Sequence, residues 1–302
     1  MHPLSKNIYP VYHLSLFKES KTFGYYIFDA SDYFSKYPLL KEKHALNVYS
    51  IIYVQSGEGF LEIDDEKIII SSQQLFMISP NQTQLIKPKS NFKAFIILFC
   101  QDFYLEEYDL TRLLKVFIPS LSTSINKISP YILLKEEAIN IDKIVSLMFA
   151  EYNQENINVS TTILRSYLNA LLIKINQLNL LRSSKDFDYN NEIIINFSQL
   201  VENNFIKQQD LSFYASELKI SETKINKIVK SHFNSSIKKI IHNRLMLEAR
   251  KLLCNSNFTV AEVSIHLNFS DNSYFNKVFI KHHTITPGQF RSLHQKYTIN
   301  RN

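Results

Sequence analysis

Val263-Ser264-Ile265-His266-Leu267-Asn268-Phe269-Ser270-Asp271-Asn272-Ser273-Tyr274-Phe275-Asn276-Lys277-Val278-Phe279 reads as a short helix, a turn and a second helix. Ahead of it, Thr259 and Glu262 stand three apart, the spacing at which hydroxyl and carboxylate each satisfy a backbone N–H of a helix start. Phe275 and Val278 mark the inward side of the second helix. Beyond it, Thr286-Pro287-Gly288-Gln289 repeats the capping box with proline at the first helical position. Two helices joined by a tight turn make a helix-turn-helix, but any small helical bundle contains such pairs.

Repetition gives the pattern its meaning. Forty-nine residues upstream, Ala215, Leu218, Ile220 and Ser221 match Ser264, Leu267, Phe269 and Ser270. The offset then becomes 50, and Ile225-Asn226-Lys227-Ile228 matches Phe275-Asn276-Lys277-Val278. Small residues, Ala215 and Ser264, stand where each pair of helices must cross. Between the copies, Ile237, Ile240, Ile241, Leu245, Ala249, Leu252 and Leu253 define one long amphipathic helix, ended by Asn255-Ser256-Asn257. Two units on a rigid connector can set two recognition helices in successive major grooves, about 34 Å apart along the DNA.

Charge agrees with a nucleic-acid partner. Of 34 Lys and Arg and 28 Asp and Glu in 302 residues, 15 and 8 fall from residue 191 onward, which leaves 19 and 20 before it. The basic excess lies wholly in the last third. Glycine usage excludes another class. Only Gly24, Gly57, Gly59 and Gly288 are present, and Glu62 stands where a dinucleotide fingerprint begun at Gly57 needs its third glycine. Gly57-Glu58-Gly59 is expected to be a turn between strands. Cys100 and Cys254, 154 positions apart, suit reduced structural thiols.

Residues Tyr25 to Cys100 form short runs rich in Ile, Val, Phe and Tyr: YYIF, NVYSIIYVQ, FLEI, KIII, QLFMIS and FKAFIILFC, separated by Ser-Gly-Glu-Gly, Asp64-Asp65-Glu66 and Ser79-Pro80-Asn81-Gln82. They predict a small antiparallel sandwich or barrel. A helix near Ile139–Tyr152 and a longer one follow. The longer carries Ile163, Leu164, Tyr167, Leu168, Leu171, Leu172, Ile175 and Leu178 at helical spacing, a core stripe of which part could be a dimer seam. Polar, aperiodic Arg182–Asn191 reads as the linker region. The expected class is therefore an α+β multidomain chain. Residues 1–181 form the β domain with appended helices, 182–190 the linker, and 191–296 an all-α domain with units at about 208–233 and 259–282.

Over about the last hundred residues the sequence resembles the AraC/XylS family of transcriptional regulators. The quoted stretch and Ile285-Thr286-Pro287-Gly288-Gln289-Phe290-Arg291 carry the likeness. The order of strands and helices before residue 181 looks like the cupin-type sensor and dimerisation region common in that family. Departures are local. Asn268, Thr284 and Asn234 stand where such proteins usually have glycine, and His283 where they usually bury an apolar side chain. Asparagine tolerates a left-handed backbone, whereas β-branched Thr284 is less comfortable there.

Helical phase presents Thr223, Lys224, Asn226 and Lys227 outward on the first recognition helix, and Asn272, Ser273, Tyr274 and Lys277 on the second. At Thr223, Asn226 and Lys227 the resemblance also implies base-facing positions. Asparagine can pair with adenine and lysine can reach guanine acceptors. Lys230, Lys239, Asn276, Lys281 and Arg291 are candidate phosphate contacts. The resemblance implies an activator, and the implied partners are double-stranded promoter DNA, RNA polymerase, a small-molecule effector, and a second copy in a homodimer.

The rival reading is a cupin-type enzyme, which would hold a metal through clustered histidines. His2, His13 and His44 form no His-x-His pair, no nucleophile elbow is present, and no catalytic residue, metal ligand or cofactor is expected. A further alternative is an N-terminal domain that only meets protein partners. Tyr25, Tyr26, Tyr49, Tyr53 and Phe60 could line an effector pocket, although aromatics in strands are mostly core. The N-terminus interrupts its apolar residues with Pro, His, Lys and Asn, unlike a secretory signal, and no run reaches a membrane-spanning length. A cytoplasmic protein of bacterial type is expected.

Overall fold

The structure is a computed structural model that describes residues 9–17, 22, 24–64, 66–89, 91–108, 110–117, 130–154, 160–182, 189–233, 235–255 and 257–292. The chain divides into two compact units between residues 188 and 189.

In the first unit β1 (Val11–Tyr12), β2 (Tyr25–Asp29), β3 (His44–Leu46), β4 (Tyr49–Ser56), β5 (Gly59–Ile63), β6 (Glu66–Ile70), β7 (Gln74–Ile78), β8 (Thr83–Pro88), β9 (Lys93–Phe99) and β10 (Tyr131–Ile132) build two sheets. Their orders are β1-β3-β8-β5-β6 and β10-β7-β4-β9-β2. From β3 to β9 the chain crosses from sheet to sheet after nearly every strand, and β5–β6 is the one consecutive pair there that stays in one sheet. Gly57 and Gly59 sit at such a crossing, between β4 and β5. Gly57 has φ +102°, and a Cβ there would meet the Asn91 carbonyl oxygen at 2.7 Å. The expected turn exists, but it joins two sheets instead of closing a hairpin.

All pairings are antiparallel except β1 with β3, which is parallel. The six strand runs read from the sequence correspond to β2, β4, β5, β6, β7 and β9. The two- and three-residue strands β1, β3 and β10 are too short to give a pattern, and β8 gives none because TQLIKP looks polar. Its burial nonetheless alternates, with Gln84 and Ile86 inside. β4 is buried along nearly its whole length because both its faces are covered. Tyr49 packs edge-on against Phe117, and the Tyr53 hydroxyl donates to the Ala138 carbonyl at 3.3 Å.

Among the described residues five α-helices accompany the sheets: α1 (Ala30–Lys36), α2 (Gln101–Leu105), α3 (Leu110–Phe117), α4 (Lys135–Tyr152) and α5 (Thr161–Arg182). α4 and α5 pack together, and Arg165 of α5 ties α2 down through the Phe103 carbonyl (2.8 Å) and ion pairs to Glu106 and Glu107. Of the α5 stripe, Leu164, Leu168, Leu171, Leu172, Ile175 and Leu178 are buried, while Ile163 is exposed and Tyr167 half-buried. The stripe is mainly core within the unit. Neither cysteine forms a disulfide. Burial pushes the Cys100 thiol up to about 11, which makes it an unreactive structural thiol. Among the described residues no helix is long and apolar enough to cross a membrane.

The second unit is helical: α6 (Tyr189–Asn204), α7 (Leu211–Glu217), α8 (Glu222–Phe233), α9 (Ile237–Asn255), α10 (Val260–His266) and α11 (Asn272–His283), with residues 287–292 also helical. The domain boundary shifts slightly from the sequence reading. Tyr189 and Asn190, assigned to the linker, open α6, and Arg182 closes α5; residues 183–188 lie outside the described residues, as do 293–296.

Candidate nucleic-acid interface

The two copies turn identically. In the first, Ile220 N–H donates to the Ala215 carbonyl (3.1 Å) and Lys219 N–H to Ser216 (3.0 Å). In the second, Phe269 N–H donates to Ser264 (3.1 Å) and Asn268 N–H to Ile265 (2.9 Å). This is the Schellman arrangement, which closes a helix through one left-handed residue. Lys219 (φ 54°) and Asn268 (φ 60°) hold that place. The sequence reading anticipated Asn268; Lys219 gave no composition signal. Ala215 and Ser264 are 5% and 1% exposed, as crossing points demand.

Both expected capping boxes are present. Thr259 N–H donates to Glu262 Oε2 (2.6 Å) while Glu262 N–H donates to Thr259 Oγ1 (3.2 Å). Backbone hydrogen bonding at Thr259 holds the Glu262 carboxyl below its ordinary value. Thr286 and Gln289 repeat the reciprocal pair at 3.0 and 3.2 Å. The recognition helices are capped too: Ser221 Oγ accepts from Lys224 N–H (3.3 Å), and Asp271 Oδ1 from Tyr274 N–H (2.6 Å).

Residue for residue, 221–230 and 271–280 have the same burial sequence. Ile225 and Val229, with Phe275 and Phe279, are fully buried. Ile228 and Val278, expected inward, are only half-buried because each lies at the edge of the packed stripe. Thr223, Lys224, Lys227, Asn272, Ser273, Tyr274 and Lys277 are exposed, and Asn226 is half-buried. Asn276 occupies the position of Asn226 with the same half-burial, so the sequence reading that gave one to bases and the other to phosphate has no geometric basis. Lys230, Lys239 and Lys281 are exposed.

Two expected DNA contacts are engaged elsewhere. Arg291 donates from Nε to the Leu253 carbonyl (3.0 Å) and from Nη2 to the Phe258 carbonyl (2.5 Å). Its guanidinium therefore ties the last helical segment to the end of α9, a structural task in place of the phosphate contact read from the sequence. The Lys224 ammonium lies 4.7 Å from the centre of the Tyr189 ring, drawn toward α6.

Other residues that hold the site were not singled out in the sequence. Arg244 of α9 pairs with Glu202 of α6 (2.8 Å) and Glu248 (2.9 Å) and lies 4.1 Å over the Phe205 ring, fastening α6 to α9. Their only sequence signal is the i,i+4 spacing of Arg244 and Glu248. The departures at the end of α11 are real conformational features. Thr284 is left-handed (φ 62°), and His283 packs 4.4 Å from Phe279 and 5.8 Å from Phe290. Burial first, then Arg250 and His282, lower the His283 pKa to about 4. Burial alone brings His232, near the end of α8, to about 4. Asn234 lies outside the described residues.

In the first unit, His44 is buried with Nδ1 2.8 Å from the Glu42 carbonyl, and burial lowers its pKa. Among the described residues no group of three His, Cys, Asp or Glu is placed to hold a metal; His2 lies outside them. Tyr25, Tyr26, Tyr49 and Tyr53 are core residues, and Phe60 lies under the Lys67 ammonium. Tyr26 also lines a cavity of about 100 Å³ beside α1.

A β-sandwich unit and a tandem helix-turn-helix unit define a two-domain DNA-binding protein. Comparison with known proteins agrees: residues 37–172 match the AraC-like ligand binding domain and residues 214–292 a helix-turn-helix domain. The chain belongs to the AraC/XylS family. The transcriptional activator AggR of Escherichia coli is 32% identical over 90 residues, 30% of this chain and 34% of AggR. The regulatory protein PocR of Salmonella typhimurium is 32% identical over 77 residues, 26% of this chain. The chain thus spans about a third of AggR and a quarter of PocR. The virulence regulon transcriptional activator VirF of Shigella flexneri is 26% identical over 259 residues, 84% of this chain and 95% of VirF. Among solved structures, ToxT of Vibrio cholerae aligns over 89% of this chain and 98% of ToxT, with 15% identity and a TM-score of 0.34.

Proposed function

We infer that this chain is a sequence-specific DNA-binding transcription regulator that acts as an activator at promoters. The observation that carries the reading is the repeated exposure pattern of α8 and α11, which offers the same outward row twice. Thr223, Asn226 and Lys227 in the first unit, and Ser273, Asn276 and Lys277 in the second, are the base-reading set, with Asn272 and Tyr274 beside them. Lys230, Lys239 and Lys281 contact phosphates. The activator role is supported by AggR and VirF, both named as activators. On this reading the protein works in the cytoplasm, contacts RNA polymerase, and uses its first unit for an effector, for pairing with a second copy, or for both.

The test is selection of bound duplexes from a random-sequence pool by the full chain, followed by salt titration on the selected site. A single enriched motif with two half-sites about one helical turn apart is expected, with affinity falling steeply as salt rises. Recovery of no motif, or binding indifferent to salt, would overturn the reading.

A further inference from the structure

α6 precedes the matched helix-turn-helix region, which begins at residue 214, yet it touches the recognition helix. Its far end is fastened to α9 by the part-buried Arg244–Glu202 pair and by Arg244 over Phe205. Its first residue, Tyr189, is exposed and holds its ring against the Lys224 ammonium at 4.7 Å. At about 100° per residue, Thr223 and Lys227 point nearly opposite buried Ile225, while Lys224 stands on the flank. From a flank, a lysine side chain can swing toward the DNA backbone or away from it. The Tyr189 ring belongs to α6, which packs against α8, and it attracts the cation toward α6 through its negative face. In the second unit the equivalent position is Tyr274, which carries no charge to hold.

We propose that Tyr189 is a positioning residue that keeps Lys224 off the DNA, so that the first recognition helix gains a phosphate contact only when the start of α6 moves away. The inference rests on the DNA-binding reading above and adds a point of control to it.

The experiment measures affinity of the full-length chain for one selected duplex at low and high salt. Tyr189→Ala is expected to bind about two- to five-fold tighter at low salt, the release of one exposed cation–ring contact. The gain should shrink as salt rises, because it is a phosphate contact. Tyr189→Phe, which keeps the ring, should match the unaltered chain. In a Lys224→Ala background, Tyr189→Ala should have no effect. Equal or weaker binding by Tyr189→Ala overturns the proposal, as does a gain that persists without Lys224. Lys227→Ala serves as the reference: if it leaves affinity unchanged, the base-reading assignment itself fails, independently of Tyr189.

Discussion

Thr284→Gly should stabilise the helical unit. Thr284 ends α11 at φ 62° and ψ −4°, with its N–H donating to the Ile280 carbonyl at 2.7 Å. That cap needs the left-handed backbone, which costs an L-residue about 1–2 kcal/mol, with β-branched side chains among the worst placed. Glycine removes this strain but adds about 0.5–1 kcal/mol of unfolded-state entropy. The substitution also removes the exposed Thr284 Oγ1 hydrogen bond to the His283 carbonyl (2.6 Å), which contributes little in water. The balance is a gain of roughly 0.5–1 kcal/mol. Hydrogen exchange of the amides in the last turn of α11, measured on the full chain, would report it as slowing of up to about five-fold. Asn268→Gly is the matched comparison. Asn268 has φ 60°, but asparagine accepts that conformation, so little change is expected. Equal effects at the two positions, or faster exchange in Thr284→Gly, would refute the strain argument.

Lys227→Ala and Lys277→Ala should each cost roughly 1–3 kcal/mol on the selected duplex and much less on unrelated DNA, as binding titrations on both would show. Thr259→Ala breaks the capping box and should destabilise the start of α10 by about 1 kcal/mol, seen as faster exchange of its first-turn amides. The helical unit should weaken in acid. His232 titrates near pH 4 when folded against an ordinary value of 6.5, so below pH 6.5 the unfolded chain takes up a proton that the folded chain refuses. Stability is full above about pH 6.5 and declines toward pH 4 by at most ~3 kcal/mol, with half-exposed His283 adding in the same direction. Urea unfolding of the full chain at pH 7.5 and 5 should show this loss in the helical transition, reduced in His232→Gln; an unchanged pH dependence in that variant would assign the loss to other groups.

Legibility in the sequence followed the range of the interactions. The turns of both units, the capping boxes and most of the phase of the recognition helices depend on residues within five positions of one another and are readable, although left-handed Lys219 and the half-burial of Ile228 and Val278 are not. Neither are features set by distant partners. The Arg291 hydrogen bonds span 38 and 33 positions, and the Arg244–Glu202 pair spans 42. A solvated arginine and a carbonyl clamp look the same in sequence. β8 escaped notice for a related reason: Gln84 is buried because neighbouring strands cover it, which its polar side chain does not announce. α6 was obscured by its polar opening, Tyr189-Asn190-Asn191-Glu192, which continues the character of the preceding linker.

The equivalence of the two units also sharpens where they differ. At the three outward positions 224, 227 and 230 the first helix carries lysine each time, whereas 274, 277 and 280 carry Tyr, Lys and Ile. Ile280 and Tyr274 are 40% and 48% exposed, so part of this apolar surface stays open to solvent, while the Tyr274 ring also lies 5.9 Å from that of Phe269. Cations contribute affinity that counterions screen, and apolar side chains in a major groove find thymine methyl groups and sugar edges that salt does not screen. On the proposed reading, Lys224 and Lys230 of the first helix therefore favour a salt-sensitive hold on the backbone beside the base-reading Lys227. On the same reading the second, with Tyr274 and Ile280 at the matching positions, relies less on salt-screened contacts. The two units thus share one burial pattern along their recognition helices and differ in the side chains carried at these outward positions.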